Sequence, residues 1–297
     1  MWIDAFLAYL AGERDRSPLT ITTYQTALED FEAYLKKQDE TLGWDGVDGD
    51  VIRDWMVELI ERGNSPRTVG KKLSALKTFY KFLLQRKLVT VDPAHALQGP
   101  KKDKPLPVFV REAEMNRLLD GPYFPETLEG ERDKLVLLIL YSAGLRRAEL
   151  NGLDWKDVDM GQCQLKVTGK RNKQRIVPFG PELRDALQHY RMRLQALPPE
   201  NLKTSAVVVN LKTGDRFSVG QIYQTVRHYL GYVTTQKKRS PHVLRHSFAT
   251  AMLNNQANLQ SVKELLGHAN LATTEVYTHT TFEELKRMYN QAHPRAK

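Results

Sequence analysis

The sequence predicts a mostly α protein with a small β-sheet: an all-α N-terminal domain followed by an α+β C-terminal domain. Three observations carry this. Apolar residues recur at three- and four-residue spacing along much of the chain. Two short runs of strand-forming residues flank a Gly/Asn turn, as in a β-hairpin. A proline-dense segment near position 100 interrupts both patterns, and 297 residues is length for about two domains.

In the first domain, Ser17-Pro18 opens a helix, with serine at the cap and proline at the first helical position, where its missing N–H costs nothing. Tyr24, Leu28, Phe31 and Leu35 then form a buried stripe. Ser65-Pro66 repeats the start signal, and Val69, Leu73, Leu76, Tyr80 and Leu83 make one apolar face. Arg67, Lys71, Ser74, Lys77 and Lys81 fall on another face of the same helix. Such a stripe suits a helix laid into a DNA major groove; a solvated lysine face is the alternative.

Residues 92–109 (DPAHALQGPKKDKPLPVF) hold four prolines and three lysines, which excludes continuous helix or a central strand. The expected division is a helical domain over 1–100, a linker over 101–108 and a second domain over 109–297. In the second domain helical patterns run near 111–120, 131–143, 181–195, 218–233, 241–254 and 259–266. Gln164–Thr168 and Gln174–Pro178 read as strands joined by Gly169-Lys170-Arg171-Asn172-Lys173, and Ala206–Val209 as a candidate third strand.

Composition narrows the function. The chain is 41% apolar and 27% charged, as expected of a folded protein. Its longest strongly apolar run, Leu135–Leu145, is well short of the ~20 residues that span a bilayer. The opening MWIDAFLAYLAGERD lacks a basic leader and a small-residue cleavage site, and the lone Cys163 has no internal disulfide partner. A cytoplasmic protein with no membrane association is expected. The net charge of +9 is sorted along the chain. Residues 1–62 hold 6 basic and 14 acidic side chains, residues 63–105 hold 10 and 2, and residues 106–297 hold 28 and 19. A protein with one polyanion-facing side needs such sorting.

Four segments carry candidate chemistry. In Gly144-Leu145-Arg146-Arg147-Ala148-Glu149-Leu150, an arginine emerges directly from buried structure, suited to bind two phosphate oxygens with its planar fork; an Arg–Glu surface pair is the alternative. The hairpin puts Lys166, Lys170, Arg171, Lys173 and Arg175 within ten residues without an acid. Ser240-Pro241-His242-Val243-Leu244-Arg245-His246, after Lys237-Lys238-Arg239, places His242 and Arg245 on one face of a helix start, where anions bind. Finally, Gly267-His268 punctuates a helix end and Tyr277 follows after a polar stretch. Spacing alone does not promote Tyr277. No zinc-protease, P-loop or dinucleotide motif is present, nor a carboxylate cluster of the two-metal kind.

Together these segments resemble the tyrosine recombinase family, and within it the Xer branch, over essentially the whole chain. GLRRAEL is similar to the family's first arginine box, HVLRHSFAT to its second, LLGH supplies the next histidine, and Tyr277 falls nine residues after His268. The resemblance implies a SAM-like core-binding domain and a catalytic domain forming a C-shaped clamp on DNA. It implies Tyr277 as nucleophile, Arg146 and Arg245 on the phosphate, Lys170 as general acid, and His242 and His268 as proton-transfer and hydrogen-bonding groups, with no metal and no cofactor. Arg67, Lys71, Ser74, Lys77, Lys81, Arg171, Lys173, Lys238 and Arg239 are the expected DNA contacts. Arg171 stands where a glycine is usual, and Asn172 tolerates positive φ in its place.

The implied activity is site-specific recombination through a 3′-phosphotyrosyl intermediate and a Holliday junction, resolving chromosome dimers at cell division. The implied setting is a nucleoid-associated homo- or hetero-tetramer on two duplexes, with a second Xer subunit and a division-linked DNA translocase as further partners. The tail 281–297, with Phe282, Leu285, Met288 and Tyr289 on one face, is expected to dock on a neighbouring protomer; docking on its own domain is the alternative. A mobile-element integrase, a type IB topoisomerase and a DNA-binding regulator with a degenerate site remain competing readings.

Overall fold

The computed structural model describes residues 2–40, 42–101, 108–169, 172–267 and 282–296. Both Ser-Pro starts form. Ser17 caps α2 (Pro18–Gln38) and Ser65 caps α4 (Pro66–Gln85), each hydroxyl oxygen accepting from the backbone N–H three residues on. With α1 (Trp2–Gly12) and α3 (Gly49–Glu61) they build a helical unit spanning Met1–Pro105. The predicted stripe of α4 is buried from Val69 to Leu83, against α2 and α3. Aromatic edges lock this core: Phe31 meets Trp55 at 4.8 Å and Trp44 meets Phe79 at 4.7 Å between ring centroids. The buried Tyr80 hydroxyl donates to the Trp44 carbonyl at 3.0 Å.

Charge in this unit is arranged as the sorted sequence suggests. Asp30 accepts from Lys72 at 2.6 Å and from Arg62 at 3.1 Å, so cations facing α2 are neutralised within the unit. Arg67, Lys71, Ser74 and Lys81 stay exposed on α4. Lys77 departs from that set: it is half-buried and donates to the His95 carbonyl at 3.1 Å, tying down the chain after the helix.

The second unit, Leu106–Lys297, is organised around α6 (Leu128–Ser142), whose residues 135–142 are all buried. The helix begins three residues before the predicted start because the Thr127 hydroxyl oxygen accepts from Gly130 N. Around it lie α5 (Glu112–Asp120), α7 (Arg147–Asn151), α8 (Pro181–Gln195), α9 (Val219–Val233), α10 (Pro241–Asn254) and α11 (Leu259–Leu266). The antiparallel sheet has the order β1 (Val158–Asp159), β2 (Gln164–Thr168), β3 (Gln174–Pro178). In the hairpin, Leu165 pairs with Val177 and Val167 with Arg175. Asn172 adopts the left-handed conformation at φ 56°, and Gly169 N donates to Lys173 O at 2.8 Å.

One expectation needs correction. The third strand is Val158–Asp159, not Ala206–Val209; that run is buried, and its ends make only isolated bridges, Asp154 with Ala206 and Val209 with Arg216. Four buried apolar residues in a row need a core rather than a ladder, and here they fill one without one. The tail helix α12 (Phe282–Ala292) packs against α10, α11 and β3 of its own unit. The reason is visible in its last turn. Tyr289 is fully buried, His293 stacks on it at 5.1 Å and 13°, and Phe248 and Met252 of α10 close the cluster. Burial pushes the His293 imidazole down to about 3, so it packs as a neutral ring. Arg295 seals the end, its guanidinium donating to Asn116, Asp120 and Glu182.

Candidate active site

The site begins with a glycine. Gly144 follows α6 at φ 59°, and a Cβ there would lie 2.6 Å from the Phe248 ring. Only glycine turns the chain in that space, and the turn delivers Arg146 to the N-cap of α7. Glu149, three residues on, closes a capping box: its carboxylate accepts from Arg146 N at 2.8 Å, the pattern that satisfies an orphan N–H at a helix start.

Glu149 is 6% exposed and is the electrostatic centre. Arg146 Nη1 donates to its Oε1 at 2.6 Å, and Arg175 Nη1 and Nη2 donate to Oε1 and Oε2, both at 2.9 Å. Arg245 Nη1 lies 3.8 Å from Oε2. Burial would raise this carboxyl, but hydrogen bonds and charge from Arg175, then from Arg146, outweigh it and hold it down at about 2. The charge relations run both ways. Arg245, 7% exposed, is pushed down to about 9, first by burial and then by the charge of Arg146, with Glu149 opposing and Arg175 adding to the shift.

The same three guanidiniums take three consecutive carbonyls at the C-terminal end of α11. Arg175 Nε donates to Leu265 O at 2.8 Å, Arg245 Nη2 to Leu266 O, and Arg146 Nη2 to Gly267 O at 3.1 Å. Arg245 Nη1 also donates to Gly144 O at 2.6 Å. The last carbonyls of a helix lack intrahelical partners and carry its negative pole, so cations are favoured there. Gly267 ends α11 in the left-handed conformation at φ 62°.

The structure thus brings together Arg146 and Arg245. His242, exposed on the first turn of α10, lines with Arg245 an open groove of about 330 Å³ between α10 and α11. Lys170, Arg171, His268 and Tyr277 lie outside the described residues. Of the expected DNA contacts on this unit, Lys173 and Lys238 are exposed and Arg239 is half-buried. Sequence reasoning did not assign Glu149 or Arg175 to the site. The signal for Arg175 was strand register: its pairing with Val167 puts it on the face of Leu165 and Val177, which are buried, while Ile176 points out. A cation on the inner face of a strand requires a buried partner.

The family model described as "Phage integrase family" matches residues 109–284, and that described as "Phage integrase, N-terminal SAM-like domain" matches residues 3–87. The chain is 37% identical to tyrosine recombinase XerC of Chlorobaculum parvum, over 99% of this chain and 95% of that protein. It is 38% identical to tyrosine recombinase XerC of Pelotomaculum thermopropionicum, over 99% and 98%. Among solved structures, the XerH site-specific recombinase bound to a palindromic difH substrate in a post-cleavage complex is similar in fold. Its TM-score is 0.72 at 20% identity, covering 95% of this chain and 78% of that one.

Proposed function

Since the chain belongs to the phage integrase family of site-specific tyrosine recombinases, we propose that it breaks and rejoins DNA at a site held by Arg146 and Arg245. The observation that carries this is the anchoring of Arg146 on Glu149 and the Gly267 carbonyl, and of Arg245 on the Leu266 carbonyl beside it, because His268 and then Tyr277 follow in the chain. Of the five N–H donors on a guanidinium, Arg146 commits one to Glu149 and one to Gly267 among the described residues. Its remaining donors are available to a phosphate oxygen.

In the proposed reaction the Tyr277 oxygen attacks the scissile phosphorus. A tyrosyl O–P bond forms at the 3′ side, the P–O5′ bond breaks, and a 5′-hydroxyl leaves. The tyrosine proton passes toward His242, and Lys170 protonates the leaving oxygen as general acid. Arg146 and Arg245 neutralise the charge developing on the non-bridging oxygens, the largest electrostatic contribution, and His268 donates a hydrogen bond to the phosphate. The phosphotyrosine retains the energy of the phosphodiester, so attack by a second duplex's 5′-hydroxyl reverses the step without ATP and exchanges strands through a Holliday junction.

The proposed DNA contacts are the exposed Arg67, Lys71, Ser74 and Lys81 of α4, with Lys77, in the first unit, and Arg171, Lys173, Lys238 and Arg239 in the second. The lysines and arginines among them contribute sequence-independent affinity by displacing counterions. Assembly is a tetramer on two duplexes in the cytoplasm, at the nucleoid; among the described residues no helix is long and apolar enough to cross a membrane. By likeness to the XerC relatives, the proposed role is resolution of chromosome dimers, with a second recombinase subunit and a division-linked translocase as partners. The tail is expected to reach a neighbouring protomer only by leaving the cluster it shares with Phe248.

The test is a plasmid carrying two copies of the host's dimer-resolution site, incubated with the purified protein. Recombinant circles and Holliday junctions are expected. Relaxed topoisomers without recombinants would instead identify a topoisomerase-like relaxase.

A further inference from the structure

We propose that Arg175 is a positioning residue for the two phosphate-binding arginines, acting through Glu149 and the end of α11. This rests on the reading above, in which Arg146 and Arg245 hold the scissile phosphate.

Arg175 is turned away from solvent. Its position on β3, opposite Val167, turns it to the inner face of the hairpin, and its side chain is 14% exposed. Both guanidinium ends and Nε are engaged, two on Glu149 and one on Leu265 O. Above it sits Gly267, where a Cβ would come within 3.1–3.3 Å of the Arg175 side chain. The guanidinium is therefore held on one side by a fixed carboxylate and on the other by a helix terminus.

That position decides how Arg146 can sit. A planar fork pairs best with a carboxylate through two parallel bonds, and Glu149 has one such face to offer. Arg175 takes it, touching both oxygens. Arg146 is left with a single bond to Oε1 and swings its other end to Gly267 O, while Arg245 stays at 3.8 Å and bonds the carbonyls of Gly144 and Leu266 instead. Without Arg175, the carboxylate would draw Arg146 into the two-bond pairing and away from the phosphate. The hairpin that carries Lys170 in sequence is thereby tied to the same frame, through Arg175 itself.

The experiment uses the full chain and a nicked suicide duplex bearing the recombination site, with Arg175→Gln, Arg175→Lys, Arg146→Lys and the double variant Arg175→Gln/Arg146→Lys. Single-turnover cleavage at saturating DNA should fall roughly 10- to 100-fold in Arg175→Gln, the scale of a catalytic group misplaced by about 1 Å, with DNA affinity unchanged. Arg175→Lys, which keeps the charge without the fork, should recover part of the rate; if Arg175→Gln does not fold, Arg175→Lys alone should show slowed cleavage at unchanged DNA affinity. Adding Arg175→Gln to Arg146→Lys should cost much less than Arg175→Gln alone, because one residue acts through the other. A wild-type rate in the folded variants, or effects that multiply independently, would overturn the assignment while leaving the phosphate site standing. Failure of the wild-type protein to form any adduct would overturn the site reading and this inference with it.

Discussion

Replacing Glu149 with glutamine keeps the side chain's shape and removes the negative charge that Arg146, Arg175 and Arg245 face. The carboxyl stands at about 2 in the folded protein against an ordinary 4.5, and each unit is worth about 1.4 kcal/mol. Its ionisation therefore contributes about 3 kcal/mol at neutral pH, in line with the ~3–5 kcal/mol lost when a buried ion pair loses one partner. In a unit of this size that is a melting-temperature drop of roughly 6–12 °C. The sign follows from the direction of the shift. A depressed carboxyl stabilises the fold above its unfolded value, near 4.5, and the contribution fades as pH falls from there toward 2. Calorimetry of the full chain and of Glu149→Gln should show the gap open at pH 7 and closing below pH 4.5. Equal melting at pH 7, or a gap that does not narrow in acid, would refute the claim that this carboxylate is the electrostatic centre.

Two further outcomes follow from local geometry. Gly144→Ala puts a Cβ at 2.6 Å from Phe248 in a left-handed backbone and should cost at least ~1–3 kcal/mol, read as a lowered melting temperature, with cleavage lost because Gly144 O anchors Arg245. Arg295→Ala removes the donor shared by Asn116, Asp120 and Glu182; amide exchange over Tyr289–Arg295 should accelerate while exchange in α2 and α4 stays unchanged.

Much of this architecture was legible from residues. Ser17-Pro18 and Ser65-Pro66 are local signals, completed within one turn, and they hold wherever the helix packs. The hairpin was equally local, with Asn172 supplying the positive φ that Arg171 could not. β1 was not legible, since two residues carry no periodicity and Val158–Asp159 is a strand only because β2 lies beside it. The arginine boxes pointed to Arg146 and Arg245, which the structure brings together, yet not to what holds them. Glu149 read equally well as a surface partner, and the end of α11, which holds its partner Arg146, lies more than a hundred residues further along the chain. The tail's apolar face was correctly seen as needing cover. Its cover in this structure is Phe248 and Met252 of the same unit, a tertiary fact that an amphipathic pattern does not contain.

In the proposed reaction Tyr277 attacks a phosphate held by Arg146 and Arg245. The most direct test is covalent trapping on a nicked suicide duplex bearing the recombination site, followed by mapping of the DNA-linked peptide. A denaturation-resistant adduct on Tyr277 is expected, absent in Tyr277→Phe although that variant still binds DNA, and sharply reduced in Arg146→Lys and Arg245→Lys. An adduct that persists in Tyr277→Phe, or full cleavage in either arginine variant, would contradict it.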